Sequence, residues 1–535
     1  MLAHGLRGDW GTLPTPGLPV RNFLKTPAAV SKCRERFKSE VLLGRMIGGP
    51  GWTRNIVANF LSSDFYTIPC GAVPKGDDPF GRIIHDYSHE FDGRSINDAL
   101  LDNSVNYISF KERVNLLQHV KWYIKLDLKD GYRQLPVHPS EWKTQVYSLG
   151  PSEYYIDIAM PFGKANSSKI FCRWASLWFS SCRANFNKKY RANAVLGSYV
   201  DDAFGGDNSF VTSKALIKYI TLAGKRHGTV VNVPKTRGPA ISMVILGLLY
   251  HSRLKICSLD PSKVKRYSSC ILQLLTKNSV SSKDLERMVG RLEFAAWVEP
   301  FGRPLLTFLS TYITPENPQS AVPLTEMMTI CLRVWRVLLS RNRGLHFSFI
   351  LGTLPRMKHP LFVDASLTGG IGGYCGLTYF SMPIERLKPY LSKCEGWSSF
   401  PIVDIAWLEL LAACAAVYTF APLASQQLLT LYSDNTNVVA WLSKRRAPNP
   451  FVCAVVAAIE RVKYGRILKI STRYISTQNN KWADQLSRGQ IPDYLHTRGT
   501  RVSPPMKAIC ANLHLNNIVK LWATTIKSAP LPTQV

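Results

Sequence analysis

The sequence predicts a multidomain α/β protein in which two α/β regions flank a mainly helical one. Three observations carry this expectation. The chain has 535 residues, 46% of them hydrophobic, enough for several packed cores and too apolar for a wholly disordered chain. Strand-like alternation and helix-like spacing interleave from Trp122 to Leu248, and again from Leu361 onward. Between these regions, Ser281–Trp297 starts with a capping-box-like Ser281 and Asp284. It then sets Leu285, Met288, Val289 and Leu292 on one helical face.

Bulk charge narrows the partners. There are 66 Lys+Arg against 36 Asp+Glu, a formal net charge of +30. An excess of this size points to a polyanion, nucleic acid first. The twelve cysteines show no CxxC and no knuckle spacing with histidine, which argues against structural zinc and a disulfide framework. With no secretory signal pattern at the N-terminus, the expected setting is intracellular, cytoplasmic or nuclear, and not secreted. The longest apolar run, Leu410–Ala424, is short for a bilayer span and directly follows Glu409, so a buried helix is expected and no membrane.

In chain order, residues 1–35 are rich in Gly, Pro and Arg and read as a flexible tail. Short apolar pieces broken by Gly and Pro from Glu40 to Asn97 predict strands and loops. Trp122–Val137 opens with alternation that sets Tyr123, Lys125 and Asp127 on one strand face and Trp122, Ile124, Leu126 and Leu128 on the other. Ala194–Phe210 predicts a β-hairpin with Asp201-Asp202 at or near its tip. Residues 256–350 read as mostly helical. The second α/β region is expected as strand LFVDAS, glycine turn Gly369–Gly373, strand YCGLTYF, a long helix around Glu409, strand LLTLYSD, helix NVVAWLSK, strand KISTRYIS and helix NKWADQLSR. The last 45 residues carry little pattern and read as a tail or linker.

Acidic residues are scarce, so clustered ones stand out. Asp-Asp also occurs in ordinary turns, and the tetrapeptide Tyr199-Val200-Asp201-Asp202 needs support from elsewhere. Asp127 at a strand end supplies it: three carboxylates meeting in a basic protein repel one another unless a divalent cation joins them. Two such ions are what phosphoryl transfer to a 3′-hydroxyl uses.

LDLKDGYRQLPVHP and YVDD resemble the first palm motif and the catalytic hairpin of reverse transcriptases. MPFG at 160–163, VNVPKT at 231–236 and ILGLLY at 245–250 follow the same family's order. The resemblance implies a right-hand polymerase in which Asp127, Asp201 and Asp202 hold two Mg²⁺, with Mn²⁺ as a substitute. It implies that Tyr132 excludes a 2′-hydroxyl and that Lys75 and Arg82 grip the dNTP triphosphate. Lys235 would protonate the pyrophosphate leaving group. Phe162, Gly163 and Tyr199 would contact template and primer.

FVDAS, WLELLA, YSDNTNVVAWL and NKWADQLSR resemble, in order, the four acidic motifs of RNase H. A Glu inside AWLELLAACAAV is costly if buried without a partner. The resemblance implies a second two-Mg²⁺ site at Asp364, Glu409, Asp434 and Asp484, cutting RNA in an RNA–DNA hybrid. No histidine lies between Tyr474 and Asp484, where many such enzymes carry one for product release. Lys444-Arg445-Arg446 would grip the hybrid backbone.

The implied division is a tail at 1–35, fingers and palm at 36–255, thumb and helical connection at 256–355, RNase H-like domain at 356–490, and a tail or linker at 491–535. EVLLGRMIGGP, GRIIHDYSHEFDGRSIND and PFGKANSSKIF look closest to DIRS-like retrotransposons, with a gypsy-like LTR element as runner-up. Val200, and Ser88 after Asp86-Tyr87, depart from the commonest forms. Protease, zinc-knuckle and integrase motifs are not recognised, so a portion of a larger polyprotein or a decayed copy is expected. The implied partners are RNA template, DNA primer, RNA–DNA hybrid and dNTPs. The alternative is a domesticated or decayed nucleic-acid-binding protein that keeps the fold without catalysis.

Overall fold

The structure, a computed structural model, describes residues 6–17, 20–75, 78–101, 104–391, 405–445, 449–513 and 515–529. The chain divides into two compact units, Met1–Ile241 and Ser242–Val535. Each has mixed α/β content as expected, with a four-stranded antiparallel sheet in the first unit and a six-stranded mixed sheet in the second.

In the first unit a finger-like hairpin pairs β1 (Cys70–Lys75) with β2 (Asp78–His85). The central sheet contains β3 (Trp122–Asp127), β4 (Val195–Tyr199), β5 (Asp202–Asp207) and β6 (Arg237–Ala240) in the order β6-β3-β5-β4, all neighbours antiparallel. Period-two alternation sends Ile124, Leu126 and Ala203 to one face. There they pack with Phe171, Ala175, Phe179 and Cys182 of α1 (Ser167–Tyr190) and with Leu216 and Ile220 of α2 (Phe210–His227). Gly205 belongs inside β5: a Cβ there would lie 2.0 Å from the Val195 carbonyl oxygen.

Beneath this sheet, Arg133 is buried with two acids. Its guanidinium donates to Asp157 at 2.6 Å and to Glu40 at 3.0 Å, fixing the Gly131–Gln134 turn to the helix Pro27–Leu42 and the strand Glu153–Asp157. A buried cation with paired carboxylates is tolerated where an unpaired one is not.

In the second unit, the helices Pro261–Leu275, Ser282–Ala295, Arg303–Ser310 and Glu326–Arg341 make the expected helical stretch. The Ser281 hydroxyl caps the second of them by accepting from the Asp284 N–H at 3.1 Å. The sheet comprises β7 (Leu361–Ser366), β8 (Gly370–Cys375), β9 (Thr378–Pro383), β10 (Leu428–Ser433), β11 (Lys469–Tyr474) and β12 (Thr500–Arg501), in the order β11-β10-β7-β8-β9-β12. β7, β8 and β9 are antiparallel, whereas β10 and β11 run parallel to β7. On one side lies α3 (Ile405–Phe420), itself covered by α4 (Pro450–Arg466); on the other lies α5 (Lys481–Ser487). α3 opens Ile405–Ala424, the one stretch among the described residues long and apolar enough to cross a membrane. Of that stretch's most apolar window, 72% is buried inside this unit.

Four sequence expectations are corrected. Gly370, Gly372 and Gly373 form strand, not turn, and YCGLTYF is two strands joined at Gly376-Leu377. The glycines serve proximity: a Cβ at Gly372 would sit 2.4 Å from the Ser487 backbone nitrogen of α5. α4 was missed, although Asn449-Pro450 is a good N-cap and N1 pair. Residues 491–535 contain the helices Met506–Leu513 and Leu515–Ser528, and the latter packs on Glu326–Arg341 and α4 with Trp522 buried. Residues 1–35 are also partly structured, since Leu6 bridges Val137, Trp10 bridges Leu100 and a helix begins at Pro27.

Candidate active sites

Asp127 and Asp202 are direct cross-strand partners at the ends of β3 and β5, and Asp201 occupies the turn between β4 and β5. Val200, beside it, has φ +54, a left-handed conformation that a β-branched residue adopts at a cost. The turn is held by the Leu128 N–H, which donates to the Asp201 carbonyl at 2.9 Å.

Each strand carboxylate has company. Asp127 Oδ2 accepts from Asn232 Nδ2 at 2.9 Å and lies 3.4 Å from Lys235 Nζ; Asp202 Oδ1 lies 3.1 Å from Lys125 Nζ. Partial burial, followed by the charges of Asp202 and Asp127, raises the Asp201 carboxyl above its ordinary range. Burial raises Asp202 as well, against the pull of Lys125.

Around this trio, Tyr132 is half-buried, its ring 4.9 Å from the exposed Phe162 and 4.8 Å from the buried Phe171. Gly163 has φ +95, and a Cβ would lie 2.5 Å from the His85 carbonyl oxygen, so the MPFG loop seats against the end of β2. Tyr199 rests on Tyr107 with ring centroids 5.0 Å apart. Lys75 and Arg82 occupy opposite strands of the finger hairpin, with Arg82 exposed and facing Val73 across the pair. Lys235 thus stands beside a predicted carboxylate, while among the described residues no contact joins Arg82 to the trio, and the Lys75 side chain lies outside what is described.

In the second unit, Asp364 on β7, Glu409 on α3 and Asp434 just past β10 bring carboxylate oxygens within 4.8 Å of one another. Among the described residues this is the one such acidic group, and Asp127, Asp201 and Asp202 are not drawn together as closely. Asp364 accepts from the Ser487 hydroxyl at 2.6 Å, Asp434 from the Thr477 hydroxyl at 2.7 Å, and Glu409 Oε1 from the Ala365 N–H at 3.2 Å. Glu409 Oε2 is buried without a partner. Burial first, then the neighbouring carboxylates, pushes Glu409 up to about 9; burial, eased by Ser487, pushes Asp364 up to about 6. Asp484 stands apart from the trio. Its Oδ1 accepts from Arg488 Nε at 2.9 Å, one helical turn on.

Sequence reasoning missed Asn232, Lys125, Ser487, Thr477 and Arg488. Signals existed for three: Lys125 shares the strand face of Asp127, and Ser487 and Arg488 lie three and four residues after Asp484 on a helix. Arg445 is turned toward Glu460 at 3.4 Å, and Arg446 lies outside the described residues.

No family model matches the chain. Among solved structures, it is similar to a foamy viral protease-reverse transcriptase with double-stranded DNA at 16% identity. The TM-score is 0.49, and the match covers 88% of this chain and 73% of that one. The foamy viral enzyme with an RNA/DNA hybrid matches at 16% identity and TM-score 0.48, covering 89% and 56%. A further complex with double-stranded DNA matches at 17% and 0.46, covering 89% and 87%.

Both acidic sets offer only oxygen donors, the chemistry of hard cations such as Mg²⁺ and Mn²⁺. The orphaned Glu409 oxygen is the particular observation that fits a cation in the second unit. In the first, the fit requires Lys125 and Lys235 to yield some of their hold on the aspartates.

Proposed function

We propose that the chain is an RNA-directed DNA polymerase with a linked RNase H, derived from a retrotransposon of DIRS-like type. The observation that carries the polymerase reading is the direct pairing of Asp127 with Asp202, with Asp201 at the adjoining turn. Divalent ions held by these aspartates, and by Asp364, Glu409 and Asp434, would activate the attacking oxygen and stabilise charge on the phosphate. The protein's own groups do the rest. Tyr132 presents a ring edge where a ribose 2′-hydroxyl would clash, which favours dNTPs. Lys235 keeps a proton within reach of a departing pyrophosphate, and Arg82 with Lys75 supplies the two cations a triphosphate calls for. The excess of basic residues suits a template-primer backbone. In the second unit, Ser487 and Thr477 orient Asp364 and Asp434, and Arg488 restrains Asp484 at the rim.

The test is dTTP incorporation on poly(rA)/oligo(dT) with Mg²⁺, and release of labelled RNA from a hybrid. Asp201→Asn is expected to abolish the first and spare the second, and Glu409→Gln the reverse, each by more than about a hundredfold. Wild type no better than Asp201→Asn in extension would instead favour a nucleic-acid-binding protein that keeps the fold without catalysis.

A further inference from the structure

Tyr132 and Tyr199 enter the sequence reading as separate residues, one beside the nucleotide sugar and one on the catalytic hairpin. The structure joins them through two residues with no assigned role. The Tyr132 hydroxyl is 2.9 Å from the Ser168 hydroxyl on the first turn of α1. Tyr107, whose hydroxyl pKa burial raises and Ser168 eases, lines one cavity with Cys172 of α1 and with Tyr199 and Val200 of the hairpin. Its ring packs on Tyr199 at 5.0 Å, with the two planes 35° apart. One turn along α1, Cys172 lines that cavity together with Val200 of the strained hairpin turn. One face of α1 thus borders both the Tyr132 ring and the hairpin that carries Asp201 and Asp202.

The need for such a tie follows from the surroundings of Tyr132. Phe171 is a firm wall because it is fully buried, but Phe162 on the other side is 52% exposed. A ring walled on one side pivots about its Cα–Cβ and Cβ–Cγ bonds, and its tip travels furthest. Excluding one hydroxyl oxygen depends on tip position to a fraction of an ångström, so a bond at the phenol oxygen does what the walls do not.

We propose that Ser168 and Tyr107 are positioning residues for sugar discrimination: Ser168 anchors the Tyr132 ring and, through Tyr107 and Tyr199, sets it in register with the hairpin carboxylates. This rests on the polymerase reading above and deepens it. A deoxynucleotide has no 2′-oxygen to meet the ring, so loosening the gate spares dNTP use while admitting ribonucleotides.

The experiment measures kcat and KM for dTTP and UTP on poly(rA)/oligo(dT) with the full chain. Tyr132→Ala sets the ceiling for lost discrimination. Ser168→Ala is expected to lower the dTTP/UTP preference about fivefold, the worth of one hydrogen bond, through a lower KM for UTP with kcat on dTTP within about twofold. Ser168→Thr, which keeps the hydroxyl, is expected to restore it. Tyr107→Phe keeps the contact with Tyr199 and is expected to act in the same direction. The Ser168→Ala/Tyr107→Phe pair should lose less than the two effects added.

The proposal is overturned if Ser168→Ala and Tyr107→Phe keep the wild-type preference while Tyr132→Ala relaxes it. It is equally overturned if Ser168→Ala depresses dTTP and UTP use alike and Ser168→Thr does not recover them. No relaxation in Tyr132→Ala removes the gate and this proposal with it. A wild-type chain that extends no primer removes the polymerase reading itself, a result distinct from the other three.

Discussion

The aspartates around the Asp127–Asp202 pair and the carboxylates around Asp364 carry similar charge in different company. In the first unit, Asp202 and Asp127 each have a lysine close by, Lys125 at 3.1 Å and Lys235 at 3.4 Å. In the second, Asp364 and Glu409 are buried to 5% and 3% exposure, and their partners are a hydroxyl and a backbone N–H. Arg488, which feels the charge of Asp364, is paired with the outlying Asp484. The protein neutralises the first cluster itself and leaves the second to a proton or an incoming cation. The same residue types therefore respond differently to pH and to metal.

The largest expected effect lies in the second unit. Glu409 keeps its proton up to about 9, while in the unfolded chain it ionises near its ordinary 4.5; Asp364 is shifted the same way, from 3.8 to about 6. Both folded values are raised, so stability is full below the unfolded values and falls as pH climbs through the folded ones. In EDTA, the thermal midpoint of the full chain is expected to drop between about pH 5 and pH 9. Glu409→Gln should flatten that slope by removing the ionisable group, and at the alkaline end the variant should melt at least about 2–4 °C higher than wild type. Millimolar Mg²⁺ should restore most of the loss in wild type and little in the variant. Parallel pH slopes for the two proteins would erase the contrast between the sites.

How much of this was legible follows the range of the interactions. The strand bearing Asp127 and the hairpin bearing Asp201-Asp202 were readable because period-two alternation and turn-forming residues are local signals. The strands leading to Asp364 and Asp434 were readable for the same reason. The grouping of four acids came instead from the resemblance, and the structure draws together Asp364, Glu409 and Asp434 without Asp484. Gly369–Gly373 was misread as a turn because its glycines answer to neighbours that local pattern does not show. Gly372 answers to the α5 backbone at Ser487, more than 100 residues away, and Gly370 to the Met382 carbonyl of β9. The Leu515–Ser528 helix did carry a readable stripe, Ile518, Trp522 and Ile526 at intervals of four, which the surrounding irregular text obscured. The lysine partners escaped notice in another way. Lys125 was placed on the correct face, but only the cross-strand register of β3 and β5 turns that face into a contact with Asp202.

A smaller effect is expected in the first unit, where Lys125 already sits beside Asp202. Lys125 and an incoming Mg²⁺ compete for the same carboxylate, and both partners are only partly buried, so the contest is screened. Lys125→Gln should lower the Mg²⁺ concentration that half-saturates primer extension by about two- to fivefold. It should leave the metal requirement of hybrid cleavage unchanged. If both activities shift together, the lysine is not a local competitor and the two sites do not differ in this respect.

The smallest effect tests Arg488, the cation paired with Asp484 in the second unit. Arg488 is more than half exposed, and its pair with Asp484 at i,i+4 belongs to the class that contributes at most about 1 kcal/mol. Arg488→Gln should therefore leave the thermal midpoint within about 1–2 °C of wild type. Asp484 would then be free to turn toward Asp364, whose raised carboxyl already feels its charge. The pH slope measured in EDTA should steepen slightly, and half-saturating Mg²⁺ for hybrid cleavage should fall by less than about threefold. A rise in the metal requirement would reverse the assignment, because it would mean that Arg488 holds Asp484 in place for the cation and does not hold it away.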